Sequence, residues 1–244
     1  MTRRPPHLDA LPRPGAALAV YAHPDDETFG LGAVLAALVD VGTAVDGLCF
    51  TRGEASTLGC ADDLGDARAA ELDAAARVLG VRTCELLAYP DGRLADVPVA
   101  VLAGHVVAAV RRQAAELLVV FDDGGVTGHP DHQRATDAAL AAADDLDLGV
   151  LAWAVREPVA AALNTELGTD FRGRCAVEID LTVAVDRDRQ RRAIACHRSQ
   201  SADNPVLRRR LALTGPTEPL RWLRVTGDVP DDGRPPAHSG AGRR

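Results

Sequence analysis

Short apolar runs alternate with longer stretches of helical apolar spacing along most of the chain, and that alternation leaves few folds open. Runs at Leu18–Ala22, Val45–Phe50, Cys84–Leu87, Leu117–Phe121, Val150–Ala154 and Ala176–Ile179 predict strands. Between them, apolar residues recur every three or four positions over Thr28–Val41, Asp63–Leu79, Val99–Arg112, Asp131–Ala143 and Val185–Arg198. Those stretches predict helices, and Gly80 reads as the C-cap of the second. A β-α-β-α order of this kind predicts an α/β, Rossmann-like architecture: a mostly parallel sheet with helices on both faces. Glu157–Arg174 shows no clear period and is expected to be irregular, covering one edge of a site.

With 244 residues the chain can bury one sizeable core, and no linker divides it. The expected organisation is a flexible N-terminus (residues 1–15), a single domain (16–229) and a disordered Pro-, Gly- and Arg-rich tail (230–244). Aromatics are 3% of the chain, so Ala, Val and Leu must supply the core. A net charge of −8 repels phosphate backbones and argues against a nucleic-acid partner. Arg208-Arg209-Arg210 reads as a solvated face or a contact to an anionic substrate. The run Ala16–Ala22 is too short to span a membrane, and residues 1–15 hold no signal-like apolar stretch, so no membrane association is expected. Five cysteines stand singly, without CxxC spacing, which argues against a disulfide framework and for a reducing, cytoplasmic setting. Homo-oligomerisation is left open.

Ligands of open parallel sheets sit beyond the carboxyl ends of the strands, here after Ala22, Phe50, Leu87 and Phe121. Two of those places carry concentrated chemistry. After Ala22 comes His23-Pro24-Asp25-Asp26-Glu27, at the start of a helix. Helix capping accounts for one carboxylate in such a segment; a divalent cation accounts for the histidine and paired aspartates together. The glycines that follow do not form a phosphate-cradling G-x-G-x-x-G loop, which disfavours a dinucleotide site. Beyond Phe121, a glycine-rich loop leads to Gly128-His129-Pro130-Asp131-His132 at a second helix start, where a spacing of three aims two imidazoles at one locus. Together the segments offer His, Asp and His around one open position, the arrangement of a catalytic rather than a structural zinc. Such a centre, with a spare carboxylate and imidazole beside it, suits metal-assisted amide hydrolysis. A two-metal phosphoesterase would need more carboxylates.

These residues resemble the LmbE-like, PIG-L-type N-acetylglucosaminyl deacetylases. Ala22–Glu27 and Gly128–His132 carry the resemblance, which continues through Thr51-Arg52-Gly53-Glu54, Arg68-Ala69-Ala70-Glu71-Leu72 and His197-Arg198-Ser199-Gln200. It implies a zinc-dependent hydrolase, one Zn2+ per chain or another divalent ion, that removes an acetyl or other acyl group from the nitrogen of a small amino-sugar-like substrate. By the same resemblance His23, Asp26 and His132 are metal ligands and Asp25 is the general base. His129 stabilises the tetrahedral intermediate, Asp131 orients His129, and Arg68 contacts substrate. Some members carry Tyr where this chain has Thr127, so no oxyanion role is assigned there. Glu54 has a competing reading as a loop or cap residue, and His197, Ser199 and Gln200 receive no catalytic assignment. His7, His105 and His238 are not expected to be ligands.

Overall fold

The structure is a computed structural model that describes residues 9–58 and 63–226. The expected disordered tail, His7, His238 and Cys60 lie outside the described residues, as does the expected flexible segment before residue 9. Strands β1 (Ala16–Tyr21), β2 (Ala44–Thr51), β3 (Cys84–Tyr89), β4 (Leu117–Phe121) and β5 (Gly149–Trp153) run parallel. A short ribbon, β6 (Val155–Arg156) with β7 (Gly173–Arg174), stands apart. β8 (Leu181–Ala184) and β9 (Thr217–Arg224) close one side of the main sheet, whose order is β3-β2-β1-β4-β5-β9-β8. β9 is antiparallel to both of its neighbours.

The helices are α1 (Asp26–Phe29), α2 (Gly32–Asp40), α3 (Leu64–Leu79), α4 (Val99–Gln113), α5 (Gly125–Gly128), α6 (Pro130–Leu146), α7 (Glu157–Leu167), α8 (Arg187–Ile194), α9 (Arg198–Ser201) and α10 (Pro205–Thr214). Alternation along the strands divides the core into two layers. Ala17, Ala19, Tyr21, Val119 and Leu151 join Leu35 and Leu38 of α2, Leu72 and Leu79 of α3 and Ala193 of α8. Leu18, Val20, Leu118, Val120 and Val150 join Leu102 and Val106 of α4 and the small residues Ala135, Ala138, Ala139 and Ala142 of α6. Because both faces are covered, the central parallel strands β1, β4 and β5 are apolar along their length, whereas β2 carries a buried Asp46 that pairs with Arg82 and Thr83.

Three expectations are corrected. The helix expected over Thr28–Val41 is broken into α1 and α2 around Gly30 and Leu31. Residues 176–179 do not form a strand; Ala176–Glu178 is a 3-10 turn, closed by the Glu178 carboxylate accepting from Cys175 N at 2.9 Å. Glu157–Arg174 is not irregular throughout, since it contains α7, which starts with Pro at its first turn and ends at left-handed Gly168. Gly80, with φ of 85°, ends α3 as its position in the sequence predicts.

β1 lies between β2 and β4, so the connections leaving β1 and β4 depart to opposite sides. A crevice opens at such a switch point beyond the carboxyl ends of the strands. The two charged segments of the sequence leave from these two tips.

Candidate metal centre

Asp26 is tied to the tip of β1 by the backbone itself. One carboxylate oxygen, Oδ2, accepts from Ala22 N at 3.2 Å and from His23 N at 2.9 Å. The other, Oδ1, faces His132 Nε2 at 3.1 Å. Asp25 has φ of 121°, a region that a non-glycine residue occupies only when its surroundings force it there. Its N–H donates to Glu27 Oε2 at 2.8 Å, and its carbonyl accepts from Thr28 N at 2.9 Å and Phe29 N at 2.7 Å. The second segment is strained as well: Val126, a β-branched residue, has φ of 56° inside the α5 turn that delivers His129. Pro130 then starts α6, and the His129 ring caps it by accepting from Asp131 N at 3.2 Å.

Three potential ligand atoms converge. His23 Nδ1 is 3.2 Å from His132 Nε2 and 3.6 Å from Asp26 Oδ2, and all three residues are buried. A tetrahedral ion with bonds of about 2.0–2.2 Å holds its ligand atoms about 3.3–3.6 Å apart; the two ring nitrogens at 3.2 Å and the Asp26 oxygens, Oδ1 at 3.1 Å from His132 and Oδ2 at 3.6 Å from His23, come close to that spacing. The far sides of the rings fit too. His132 Nδ1 lies 3.2 Å from the Gly125 carbonyl, which places the proton there and leaves the Nε2 lone pair facing Asp26. Thr127 Oγ1 is also 3.2 Å from that Nδ1. His23 Nε2 approaches Asp91 Oδ1 at 2.9 Å and Asp131 Oδ2 at 3.4 Å, though neither oxygen lies in line with the ring N–H. His23, His129 and Asp131 also come together, but His129 Nδ1 is already committed to the Asp131 backbone.

The electrostatics call for positive charge. Burial works against a charged His23, yet Asp131, Asp26 and Asp91 together push its pKa well above the ordinary value. Asp26 is also opposed by burial, but His132 and His23 hold it well below the ordinary carboxylate range. Burial pushes the Asp25 carboxyl up to about 7, against the pull of Arg68. A divalent cation beside it would draw it back down and keep it a carboxylate at neutral pH. The pKa of His129 is lowered, first by burial and then by its imidazole neighbours, which favours the neutral ring.

His23, Asp25, Asp26, His129 and His132 line one cavity of about 580 Å³, together with Arg68, Asp91, Gln200 and the aromatic rings of Phe29, Phe121, Trp153 and Phe171. The family model described as PIG-L, GlcNAc-PI de-N-acetylase, matches residues 18–143, and both charged segments lie inside that stretch. The chain belongs to the PIG-L family. Among its relatives is the 1D-myo-inositol 2-acetamido-2-deoxy-alpha-D-glucopyranoside deacetylase of Geodermatophilus obscurus, 37% identical over 57% of this chain. That match spans only 58% of the relative's own length. The deacetylase of the same description from Nakamurella multipartita is 30% identical over 77% of this chain and 80% of its own. In fold the chain is similar to the N,N'-diacetylchitobiose deacetylase of Pyrococcus horikoshii, with a TM-score of 0.64, 21% identity and 88% of each chain covered.

Against this PIG-L frame, the structure brings His23, Asp25, Asp26, His129, Asp131, His132 and Arg68 to one place. Arg68 is not on a solvated helix surface: it is buried, donates to the Gly53 carbonyl at 2.6 Å and to that of Pro24, and lies 3.1 Å from Asp25 Oδ2. Gly53, with φ of 64°, is what permits this, because a Cβ there would overlap the guanidinium. The Asp131 carboxylate makes its bonds to Gly92 N (2.8 Å) and Leu94 N (3.1 Å) and faces His23; the contact to His129 comes from its backbone N–H. Glu54 is exposed and accepts from Asp91 N at 2.9 Å, a loop role. His105 bonds Tyr89 Oη at 2.8 Å, on α4.

Sequence reasoning missed Asp91 and Glu27. Asp91 follows β3 in a Pro-Asp-Gly turn, at one of the strand tips where ligands gather, but a lone Asp between Pro and Gly reads first as a turn former. Glu27 is fully enclosed and pairs with His197 Nε2 at 2.5 Å. Its partner lies far along the chain, so no local spacing signals the pair. Ser199 and Gln200 extend the same motif: Ser199 Oγ donates to Glu71 at 2.6 Å, and Gln200 Oε1 accepts from Ser56 at 2.7 Å.

Proposed function

We propose that the chain is a zinc-dependent N-deacetylase that hydrolyses the N-acetyl, or another N-acyl, group of an amino sugar or similar small molecule. The observation that carries this is the convergence of His23 Nδ1, Asp26 and His132 Nε2 beside the buried carboxylate of Asp25, in a chain of the PIG-L family. His23, Asp26 and His132 would hold the ion, whose contribution in such a site is Lewis acidity and the acidification of water. Nitrogen and oxygen donors at tetrahedral spacing favour zinc, and other divalent ions fit the same set.

The remaining chemistry belongs to the protein. Asp25 is the group that takes a proton from water, and Arg68 at 3.1 Å holds it in place and favours its charged form. Its backbone is braced by Glu27, which His197 in turn fixes. With Nδ1 of His129 accepting from Asp131 N, the proton of the neutral ring sits on Nε2, which makes that atom a donor toward an oxyanion or the departing amine. In the balance of the reaction a C–O bond replaces the amide C–N bond, and the proton lost by water ends on the amine.

The two relatives described as inositol-linked acetamidoglucose deacetylases support an amino-sugar glycoside as substrate. Residues 16–229 are read as a single catalytic domain, which accords with one sheet running from Ala16 to Arg224. A cytoplasmic setting is part of the same reading, in keeping with the free thiols of Cys49, Cys84, Cys175 and Cys196. The test is incubation with a panel of N-acetylated glucosaminides and inositol glycosides, reading acetate and free amine with and without a chelator. Metal-dependent acetate release is expected. Release that survives removal of the metal, or none from any N-acylated sugar, contradicts the proposal.

A further inference from the structure

Arg210 belongs to a run of three arginines on α10, yet it is only 3% exposed, whereas Arg208 is exposed. Its Nη2 donates to the carbonyl of Phe29, and its guanidinium lies over the Trp153 ring, 4.9 Å from the centroid. Nη1 is buried and has no hydrogen-bond partner. Nor does Arg210 have an ion-pair partner among the described residues. Glu218, whose charge favours that of Arg210, has both oxygens engaged, one by Arg187 Nη1 at 2.6 Å and one by Trp153 Nε1 at 2.9 Å. A buried cation with an idle donor is costly unless an acceptor, best a charged one, completes it.

Arg210 lines the same cavity as the metal centre. An aromatic wall connects the two ends: the Phe121 ring lies 4.8 Å from His132 and 5.1 Å from Trp153, which carries Arg210 in turn. Gly30 makes that wall possible, because a Cβ there would come within 2.5 Å of Phe121 and 2.9 Å of Trp153. A ligand that reaches from the candidate metal site along this wall passes the rings of Phe121 and Trp153 toward the Arg210 guanidinium.

We propose that Arg210 is a substrate-binding residue whose free Nη1 takes an oxyanion, carboxylate or phosphate, borne by the part of the substrate that lies along the Phe121–Trp153 wall. This rests on the reading above only in taking the cavity as the substrate site. A neutral carbonyl would satisfy the donor but leave the guanidinium with only Glu218, already shared with Arg187 and Trp153, to offset its charge, which favours the anion.

The experiment uses benzyl glucosaminide and its 4-carboxy and 4-phosphonomethyl analogues, the amines that hydrolysis would leave, titrated calorimetrically into the metal-loaded protein. The anionic ligands are expected to bind about tenfold or more tightly than the neutral one, the scale of a hydrogen bond to a charged group. Arg210→Gln is expected to remove that preference, and the stronger of the two anions identifies the chemistry. Equal affinities in the wild type, or a preference that Arg210→Gln leaves intact, would overturn the proposal. Should Arg210→Gln fail to fold by circular dichroism, Arg210→Lys decides: a preference cut several-fold supports the assignment and an unchanged one refutes it. Acetate release from the matched N-acetyl compounds is read separately. An Arg210-dependent preference without hydrolysis sinks the deacetylase reading alone; hydrolysis with no effect of Arg210 sinks this one alone.

Discussion

At one end of the cavity the carboxylates of Asp25, Asp26 and Asp91, backed by the enclosed Asp131, surround imidazoles, with Arg68 as the facing guanidinium; at the other, Arg210 lies on Trp153 with no ion-pair partner among the described residues. At the first end carboxylates outnumber the one guanidinium; at the second the nearby Glu218 is already taken by Arg187 and Trp153. Both lie in low-dielectric surroundings where an unpaired charge is expensive. The imbalance teaches that neither end is self-sufficient: one is shaped for a cation and the other for an anionic group of a ligand. The acidic end is built from strand tips and backbone-anchored side chains. The basic end is built from a helix laid over rings, and it depends on one missing side chain at Gly30.

The largest expected effect comes from breaking the acidic end at Asp25, the carboxylate beside the candidate ligand set. Asp25→Asn should lower turnover by about 10²–10⁴-fold, the range of general acid–base catalysis, while the protein retains its metal. Steady-state rates and metal content on the same preparation check it. Next is the basic end. Gly30→Ala forces a methyl against Phe121 and Trp153 and should destabilise the fold by about 1–3 kcal/mol in urea titrations, as overpacking does. The same change should blunt any preference for anionic ligands.

Smaller effects sharpen the contrast. Thr127→Val removes the hydroxyl 3.2 Å from His132 Nδ1 but leaves the Gly125 carbonyl in place, so metal affinity should fall about tenfold, at the low end for an outer ligand partner. Competition with a chelating dye measures it. The weakest effect concerns the brace behind Asp25. Burial opposes a charged His197, but Glu27, Asp25 and Glu71 raise its pKa above 6.5. A raised folded-state pKa contributes stability that is fully present below the unfolded value and fades as pH rises through the folded one. The stability advantage of the wild type over His197→Gln should therefore shrink from mildly acidic to alkaline pH. An advantage that grows with pH would mean that His197 is held neutral.

The acidic end was legible in the sequence because its chemistry is local: His23 to Glu27 and Gly128 to His132 each fit within one turn at the end of a continuous apolar strand. The parallel sheet was legible for the same reason, since its central strands β1, β4 and β5, buried on both faces, are continuous apolar runs. The basic end was not. β9 carries Glu218, Arg221 and Arg224, which hide its period, and each is paired with a residue far away in sequence: Arg187, Asp122, and Asp144 with Asp147. Arg210 looks like its exposed neighbour Arg208 until the ring of Trp153 is placed beneath it. Glu27 with His197, and Asp91 with His23, were obscured in the same way, because each pair is made by tertiary packing.

Metal titration of chelator-treated protein tests the central claim most directly. One divalent ion should bind per chain, and binding should be lost in His23→Ala, Asp26→Ala and His132→Ala while persisting in Asp25→Asn. Failure of the folded wild type to bind an ion stoichiometrically, or undiminished binding in those alanine variants, would contradict it.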